Sequence, residues 1–276
     1  MRSKKQHERL NSHKAQDGDV EKKIFLVLAL FCFNAHANEA TYYKPGEVAE
    51  FTNGELKGAD LRGFISHVSF RSFNPLGYKR RAKRVMFGSI DLEQDEKGFF
   101  IKDVYCNLKV RSDVGPGRIP TNNIMNAEHT WPQSKGSGHE PFRGDLHHLF
   151  PTDSRANSTR SSNIFGEVVG KAVREEDCTA SQVGSIINPE TGKKMRVRGY
   201  QPPVEHRGNV ARALFYSAIS YGYRISNLEE YYLKKWHKED PVDDAERERQ
   251  DEIHEAQGNR NPFIDFPELA ERFLDF

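Results

Sequence analysis

Cysteine is scarce in this sequence: three residues in 276, with no Cys-x-x-Cys pair. That excludes a disulfide-dense scaffold and a cysteine-rich structural zinc site. An excess of either charge is also missing, since 41 Lys and Arg stand against 40 Asp and Glu. With no global field to attract a polyanion, any nucleic-acid role must rest on local clusters of side chains. No His-Glu-x-x-His occurs, and His139-Glu140 has no second histidine at the needed spacing, which removes a zinc peptidase. The longest apolar run, Ile24 to Phe33, spans about 15 Å as a helix, roughly half of a bilayer core. Aromatic residues, by contrast, are plentiful. Eighteen Phe and ten Tyr are enough to build a buried core and to exclude disorder of the whole chain.

The short apolar run has an address-like setting. Lys22 and Lys23 precede it and Ala35-His36-Ala37 follows it, the basic, apolar, small-x-small order of a secretory signal peptide cut after Ala37. A buried core helix is the competing reading, and bulky Phe31 before Cys32 argues against a lipoprotein anchor. Residues 1–20 are polar and sit awkwardly ahead of such a signal, so the natural start is expected near Val20. The domain boundaries expected are therefore 1–37, extension and cleaved signal, and 38–276, one folded domain. Loss of residues 1–37, with seven Lys/Arg and four Asp/Glu, takes the formal net charge from +1 to −2. Cys106 and Cys178 remain, and an oxidising compartment permits one disulfide between them; spacing alone does not say whether geometry allows it. The mature protein is expected to be secreted or periplasmic, monomeric and free of the membrane.

Along the chain there is no internal repeat and no linker between residues 40 and 240. Apolar spacing predicts helices over Leu61–Phe73, Gly208–Tyr223 and Leu228–His237, and a short one over Tyr78–Phe87. Phe99–Tyr105 has strand composition, and residues 112–126, rich in Gly, Pro and Asn, predict loop. Asp243–Ala256 has one large apolar residue, Ile253, and is expected as a solvated helix or a mobile segment. Gly258–Phe266 returns to turn formers and aromatics and is expected to fold back. Helices flanking a few strands give a mainly helical α+β domain.

Chemistry concentrates between Asn126 and Asn163. The segment begins Asn126-Ala-Glu128-His129-Thr-Trp131-Pro-Gln-Ser134, continues after a glycine-containing loop with Asp145-Leu-His147-His148-Leu-Phe150, and closes with Asn157-Ser-Thr-Arg160. The expected geometry is a strand ending at Glu128-His129, a return strand at Leu146–Phe150 stopped by Pro151, and a short helix capped by Thr152 or Asp153. That unit would gather Glu128, His129 and Asn157 in one crevice. A carboxylate and an amide oxygen are hard ligands for Mg²⁺, with Mn²⁺ or Ca²⁺ possible, and they leave positions for water and substrate. An imidazole beside them can take a proton from water, and an arginine can hold a phosphate oxygen. Together these parts suffice for metal-assisted phosphodiester hydrolysis.

The ordered set Asn126-x-Glu128-His129-x-x-Pro132-x-Ser134, Asp145-Leu-His147 and Asn157-x-x-Arg160 resembles the bacterial endonuclease I family of secreted or periplasmic non-specific nucleases. The likeness extends to Ala82–Gly88, the stretch Ala211–Tyr221 and Gly258–Phe263. It implies a ββα-metal (His-Me) finger embedded in that domain, making 38–276 a nuclease domain with DNA and/or RNA as partner. Carried over by position, it implies Glu128 and Asn157 as ligands of one divalent cation, His129 as general base and Arg160 as phosphate contact. Asp145 and His147 take supporting places. A second phosphate-binding arginine lies in a longer loop in some relatives, where this chain has only Arg143 as a loose substitute. The cluster Lys79, Arg80, Arg81, Lys83 and Arg84 could track a phosphate backbone, as could Lys193–Arg198; the bland alternative for both is a solvated face. Trp131 is expected in the core and His148 in a structural or exposed place. An RNA-preferring enzyme and a non-catalytic nucleic-acid-binding module are the alternatives.

Overall fold

The computed structural model describes residues 42–276. The chain divides into two units, residues 1–48 and 49–276. The signal peptide cut after Ala37 and the start near Val20 lie outside the described residues. No helix among the described residues is long and apolar enough to cross a membrane.

Helix α1 (Pro45–Asn53) opens the described chain, followed by α2 (Gly58–Phe70), whose Leu61, Ile65 and Val68 fall on one buried face. A helical segment then runs through Gly77–Ala82, Lys83–Val85 and Met86–Ile90, with π-type winding at both ends. It turns the Tyr78–Phe87 stretch so that Ala82, Met86 and Phe87 enter the core while Arg81 and Arg84 stay exposed. Strands β1 (Leu92–Asp95), β2 (Gly98–Lys102) and β3 (Lys109–Val110) form an antiparallel meander. β2 stops earlier than its composition predicts. The buried Asp103 carboxylate takes the amides of Tyr105 and Cys106 at 3.1 and 2.8 Å, and this closes a turn.

The segment 112–124 is irregular, as expected, and feeds β4 (Met125–His129). β4 pairs antiparallel with β5 (Leu149–Asp153), and α3 (Ser154–Arg160) follows at once. This strand–strand–helix order is the one expected, with a shift. Leu146–His148 is a 3-10 turn, not strand, because the Asp145 side chain accepts from His147 N at 3.0 Å. Pro151 does not stop the return strand but sits inside it, opposite Ala127. Asp153 caps α3 by accepting from the amides of Arg155 and Ala156. Beneath the ribbon, Met125, Ala127, Leu146 and Leu149 share a core with Met86, Phe87, Ile101 and Ile253. Burying a side chain of that size stabilises by about 1.5–3 kcal/mol.

A four-stranded sheet then follows in the order β6 (Ile164–Phe165), β9 (Lys194–Gln201), β8 (Cys178–Ile187), β7 (Val168–Arg174). No sequence expectation covers it. Gly170, Gly184 and Gly199 stand abreast in three of its strands and break the apolar alternation. Cys106 and Cys178 form a disulfide that ties the turn after β2 to the first residue of β8.

The last part is helical. In α4 (Arg207–Tyr221) twelve residues are buried, so it is a central helix, ended by Gly222 at φ 70°. α5 (Asn227–Glu239) starts at the Ser226 cap, and α2 and α5 both pack on α4. α6 (Asp244–Gln257) is an ordered helix capped by Asp243. Its buried stripe is Glu246, Gln250, Ile253 and Gln257, which is nearly all polar. Residues 258–266 fold back as expected and include α7 (Pro262–Asp265), with Asn259, Arg260, Asn261 and Phe263 buried.

Candidate active site

Successive residues of a strand point to opposite faces, so Glu128 and His129 at the end of β4 enter different surroundings. The His129 ring turns toward the loop between the strands and the helical segment 77–90. It lies 4.9 Å from the Tyr78 ring and 5.4 Å from that of His148. Its Nε2 donates to the Arg143 carbonyl at 3.0 Å. A carbonyl can only accept, so Nε2 carries the proton and Nδ1 keeps its lone pair. The Gln133 amide donates to Nδ1 at 3.3 Å. Burial, then the neighbouring His148, pushes His129 down to about 3, so the ring is neutral and in its base form at neutral pH.

A groove of about 510 Å³ opens beside this ring, and Tyr78, Lys79, Lys83, Gln133, Arg143 and Asn157 line it. Tyr78 organises the basic side: the Arg143 guanidinium lies 4.7 Å from its ring centroid and the Lys83 ammonium 5.7 Å. The approach of the two segments depends on Gly144, where a Cβ would come within 2.8 Å of Tyr78 N. Glu140 in the same loop accepts from that amide at 2.7 Å. Lys79 and Lys83 therefore lie on the groove, whereas Arg81 and Arg84 do not line it. The side chain of Arg80 lies outside those described. The Lys193–Arg198 cluster falls largely in β9, where Lys194, Arg196 and Arg198 are exposed.

The other face of β4 is dry. Glu128 is 2% exposed, and its Oε1 accepts from the Tyr105 hydroxyl at 2.9 Å and meets Arg160 Nη1 at 3.0 Å. Burial raises the Glu128 carboxyl, while Arg160 and the Tyr105 hydrogen bond lower it. The structure corrects the place expected for Arg160. Only 1% of it is exposed, and it also donates to the carbonyls of His129 and Thr130 at 3.1 and 2.6 Å. A guanidinium held in this way ties α3 to the end of β4, and it does not line the groove. Among the described side chains, Arg143, the loose substitute, is the arginine on the groove.

Asp145 and His147 sit behind the loop, away from the groove. Asp145 accepts from Tyr216 and Tyr221, both at 2.7 Å, and from Gln257 at 2.8 Å, which anchors the loop to α4 and α6. His147 packs on Tyr216 with Nε2 at 3.3 Å from the Asn259 carbonyl. His148 is buried and its Nε2 donates to the Phe142 carbonyl at 2.7 Å. Trp131 is in the core with its indole on the Lys135 carbonyl. Three residues escaped the sequence reading. Tyr78 was the neglected neighbour of a basic run, Gln133 looked like a spacer in the motif, and Tyr105 looked like the end of a strand.

Asn157 thus lines the groove, the buried His129 ring meets it through Gln133, and Glu128 lies against the helix that carries Asn157. Among the described residues no cluster of three His, Cys, Asp or Glu could hold a metal. The donor set available is one carboxylate and one amide. Both protein contacts of Glu128 fall on Oε1, and no hydrogen bond engages the half-buried Asn157 side chain among the described residues. By donor type, one carboxylate and one amide oxygen suit a Mg²⁺-type ion that keeps most of its waters.

A family model described as Endonuclease I matches residues 57–268. The chain is 35% identical over 259 residues to an extracellular ribonuclease of Bacillus subtilis (strain 168), covering 86% of this chain and 79% of that protein. It is 35% identical over 166 residues to an extracellular ribonuclease of Bacillus amyloliquefaciens, covering 53% and 52%. It is 32% identical over 131 residues to a periplasmic deoxyribonuclease of Aeromonas hydrophila, covering 48% and 51%. The chain therefore spans most of the first relative and about half of the other two.

Proposed function

The chain belongs to the endonuclease I family, and from that premise we propose that it is a secreted or periplasmic endonuclease that hydrolyses phosphodiester bonds of DNA and RNA without sequence preference. The observation that carries this reading is the His129 imidazole. One nitrogen is fixed on the Arg143 carbonyl, and the other accepts from Gln133, which lines a groove together with Arg143, two lysines and Asn157. Relatives named for ribonuclease and for deoxyribonuclease activity support a substrate defined by its phosphates.

In this reading Arg143, Lys79 and Lys83 hold the phosphate. His129 Nδ1 takes a proton from a water held in line with phosphorus, the hydroxide adds, and the 3′ oxygen leaves, so the product carries a 5′-phosphate. An anionic phosphate beside the ring raises its basicity from the resting value, which brings a proton acceptor of low pKa closer to its working range. Arg160 and Tyr105 hold Glu128 in place from behind. Glu128 and Asn157 would hold one divalent cation, Mg²⁺ first, which supplies charge stabilisation for the crowded phosphorus and the departing oxygen.

The test is digestion of circular plasmid and of total RNA by the purified mature chain, with and without EDTA. Cleavage of both substrates that stops with EDTA is expected. No cleavage of either would end the nuclease reading, and cleavage that survives EDTA would end the metal's part in it. The Bacillus ribonucleases, each 35% identical over the matched residues, favour one second reading, an RNA-preferring enzyme of the same site, and the parallel RNA digestion decides it.

A further inference from the structure

Gln133 meets the proposed base directly, and its surroundings let its side chain move while its backbone stays fixed. Its amide sits 3.3 Å from His129 Nδ1, longer than the usual 2.9–3.0 Å or so, which marks a weak bond that is easily exchanged. The residue is exposed and lies on the groove with Arg143 and Asn157. Its backbone forms a 3-10 turn after Pro132, closed by Lys135 N on the Pro132 carbonyl at 2.9 Å. Trp131 Nε1 holds the Lys135 carbonyl at 2.9 Å and Tyr223 holds that of Gly136 at 3.2 Å, so the turn is pinned from two sides.

The single lone pair of Nδ1 is the feature that proton abstraction requires, and in the free protein a neighbour occupies it. We propose that Gln133 is a positioning residue that acts as a shutter on the base. With the groove empty of substrate, its N–H holds the Nδ1 lone pair and fixes the ring. When a phosphodiester enters, the same N–H moves to a phosphate oxygen and leaves Nδ1 to the attacking water. The exchange is downhill because a hydrogen bond to an anion is roughly twice as strong as one between neutral partners. Arg143 and Lys83 draw the phosphate to the same wall. Substrate arrival and release of the base thus become one event. The inference rests on the nuclease reading and deepens it.

The experiment follows the His129 Nδ1 resonance by long-range ¹H–¹⁵N spectra in the full mature chain, as wild type and as Gln133→Ala, alone and with a short phosphorothioate oligonucleotide. Gln133→Ala is expected to shift Nδ1 in the free protein. The oligonucleotide is expected to shift it the same way in the wild type and much less in the variant. In cleavage assays Gln133→Ala and Gln133→Glu are expected to raise KM about tenfold while kcat changes less than about threefold. An unchanged Nδ1 resonance in free Gln133→Ala, or an unchanged KM, overturns the inference. A wild type that does not cleave, or a His129→Ala variant that cleaves as well as wild type, instead overturns the nuclease reading beneath it.

Discussion

The two faces of β4 carry neighbouring residues into opposite kinds of environment. On the groove side the buried His129 ring meets an exposed glutamine amide, the Tyr78 ring and the Arg143 carbonyl. On the far side Glu128 is sealed by Tyr105 and Arg160, and the same arginine clamps the two carbonyls that follow. The groove side offers one exposed partner, the Gln133 amide, for a substrate to displace. The dry face offers partners whose removal leaves a buried charge. A site needs both, because mobile groups must work from a fixed frame.

Substitutions on each face probe that contrast, beginning with the largest effect. His129→Ala should lower the cleavage rate by roughly 10²–10⁴-fold, the usual contribution of a placed general base. A plasmid nicking assay with a rate within threefold of wild type would remove His129 from the chemistry. On the dry face Arg160→Met should cost about 3–5 kcal/mol of stability in urea titration, since it strands the Glu128 carboxylate in the interior. A loss below about 1 kcal/mol would mean that water reaches Glu128 and that the two faces are not so different.

Acid offers a third probe. Burial, the largest cause in each case, holds His129 and His206 down to about 3 and His147 and His148 to about 4. In the unfolded chain these rings titrate near 6.5, so unfolding takes up protons below that value. Their share of stability is whole above pH ~6.5 and is lost as pH falls toward ~4 for His147 and His148 and toward ~3 for His129 and His206, each contributing up to about 1.4 kcal/mol per pH unit. The Glu128 carboxyl, raised by burial, works with the opposite sign: its contribution is whole below its unfolded value and falls as pH rises through the folded one. Urea midpoints that stay flat from pH 7 to pH 4.5 would contradict the neutral buried histidines. The smallest effect is expected at the rim, where Lys83→Ala should reduce the slope of log affinity against log salt by about 0.9 for an oligonucleotide. A slope equal to that of wild type would place Lys83 off the phosphate path.

Legibility followed chemistry more closely than geometry. α4 could be read because Val210, Leu214, Ala218 and Tyr221 repeat at helical spacing, and the capped helix after β5 because Asp153 precedes it. α6 hid its inner face, because Gln250 and Gln257 are buried for their hydrogen bonds to Asp265 and Asp145 and not for hydrophobicity. The sheet of β6 to β9 left no clean alternation to find. Arg160 is expected on a phosphate, and the structure places it in the interior against Glu128. Sequence does not say which side of a seven-residue helix faces the strand. Arg143 could not be ranked above Arg160 without knowing that Gly144 lets its loop press on Tyr78.

Pro151 has one more consequence. Its carbonyl turns away from β4 to receive Val104 N at 3.1 Å, and two residues on the Asp153 amide goes to Asp103 at 2.9 Å. The proline nitrogen faces the same outer edge and has no hydrogen to offer. The outward backbone groups of Pro151 and the Asp153 amide are therefore bonded or missing, and a stray strand from another molecule finds nothing to bond at these positions. That stretch of the β5 edge is thereby closed to recruitment into fibrils.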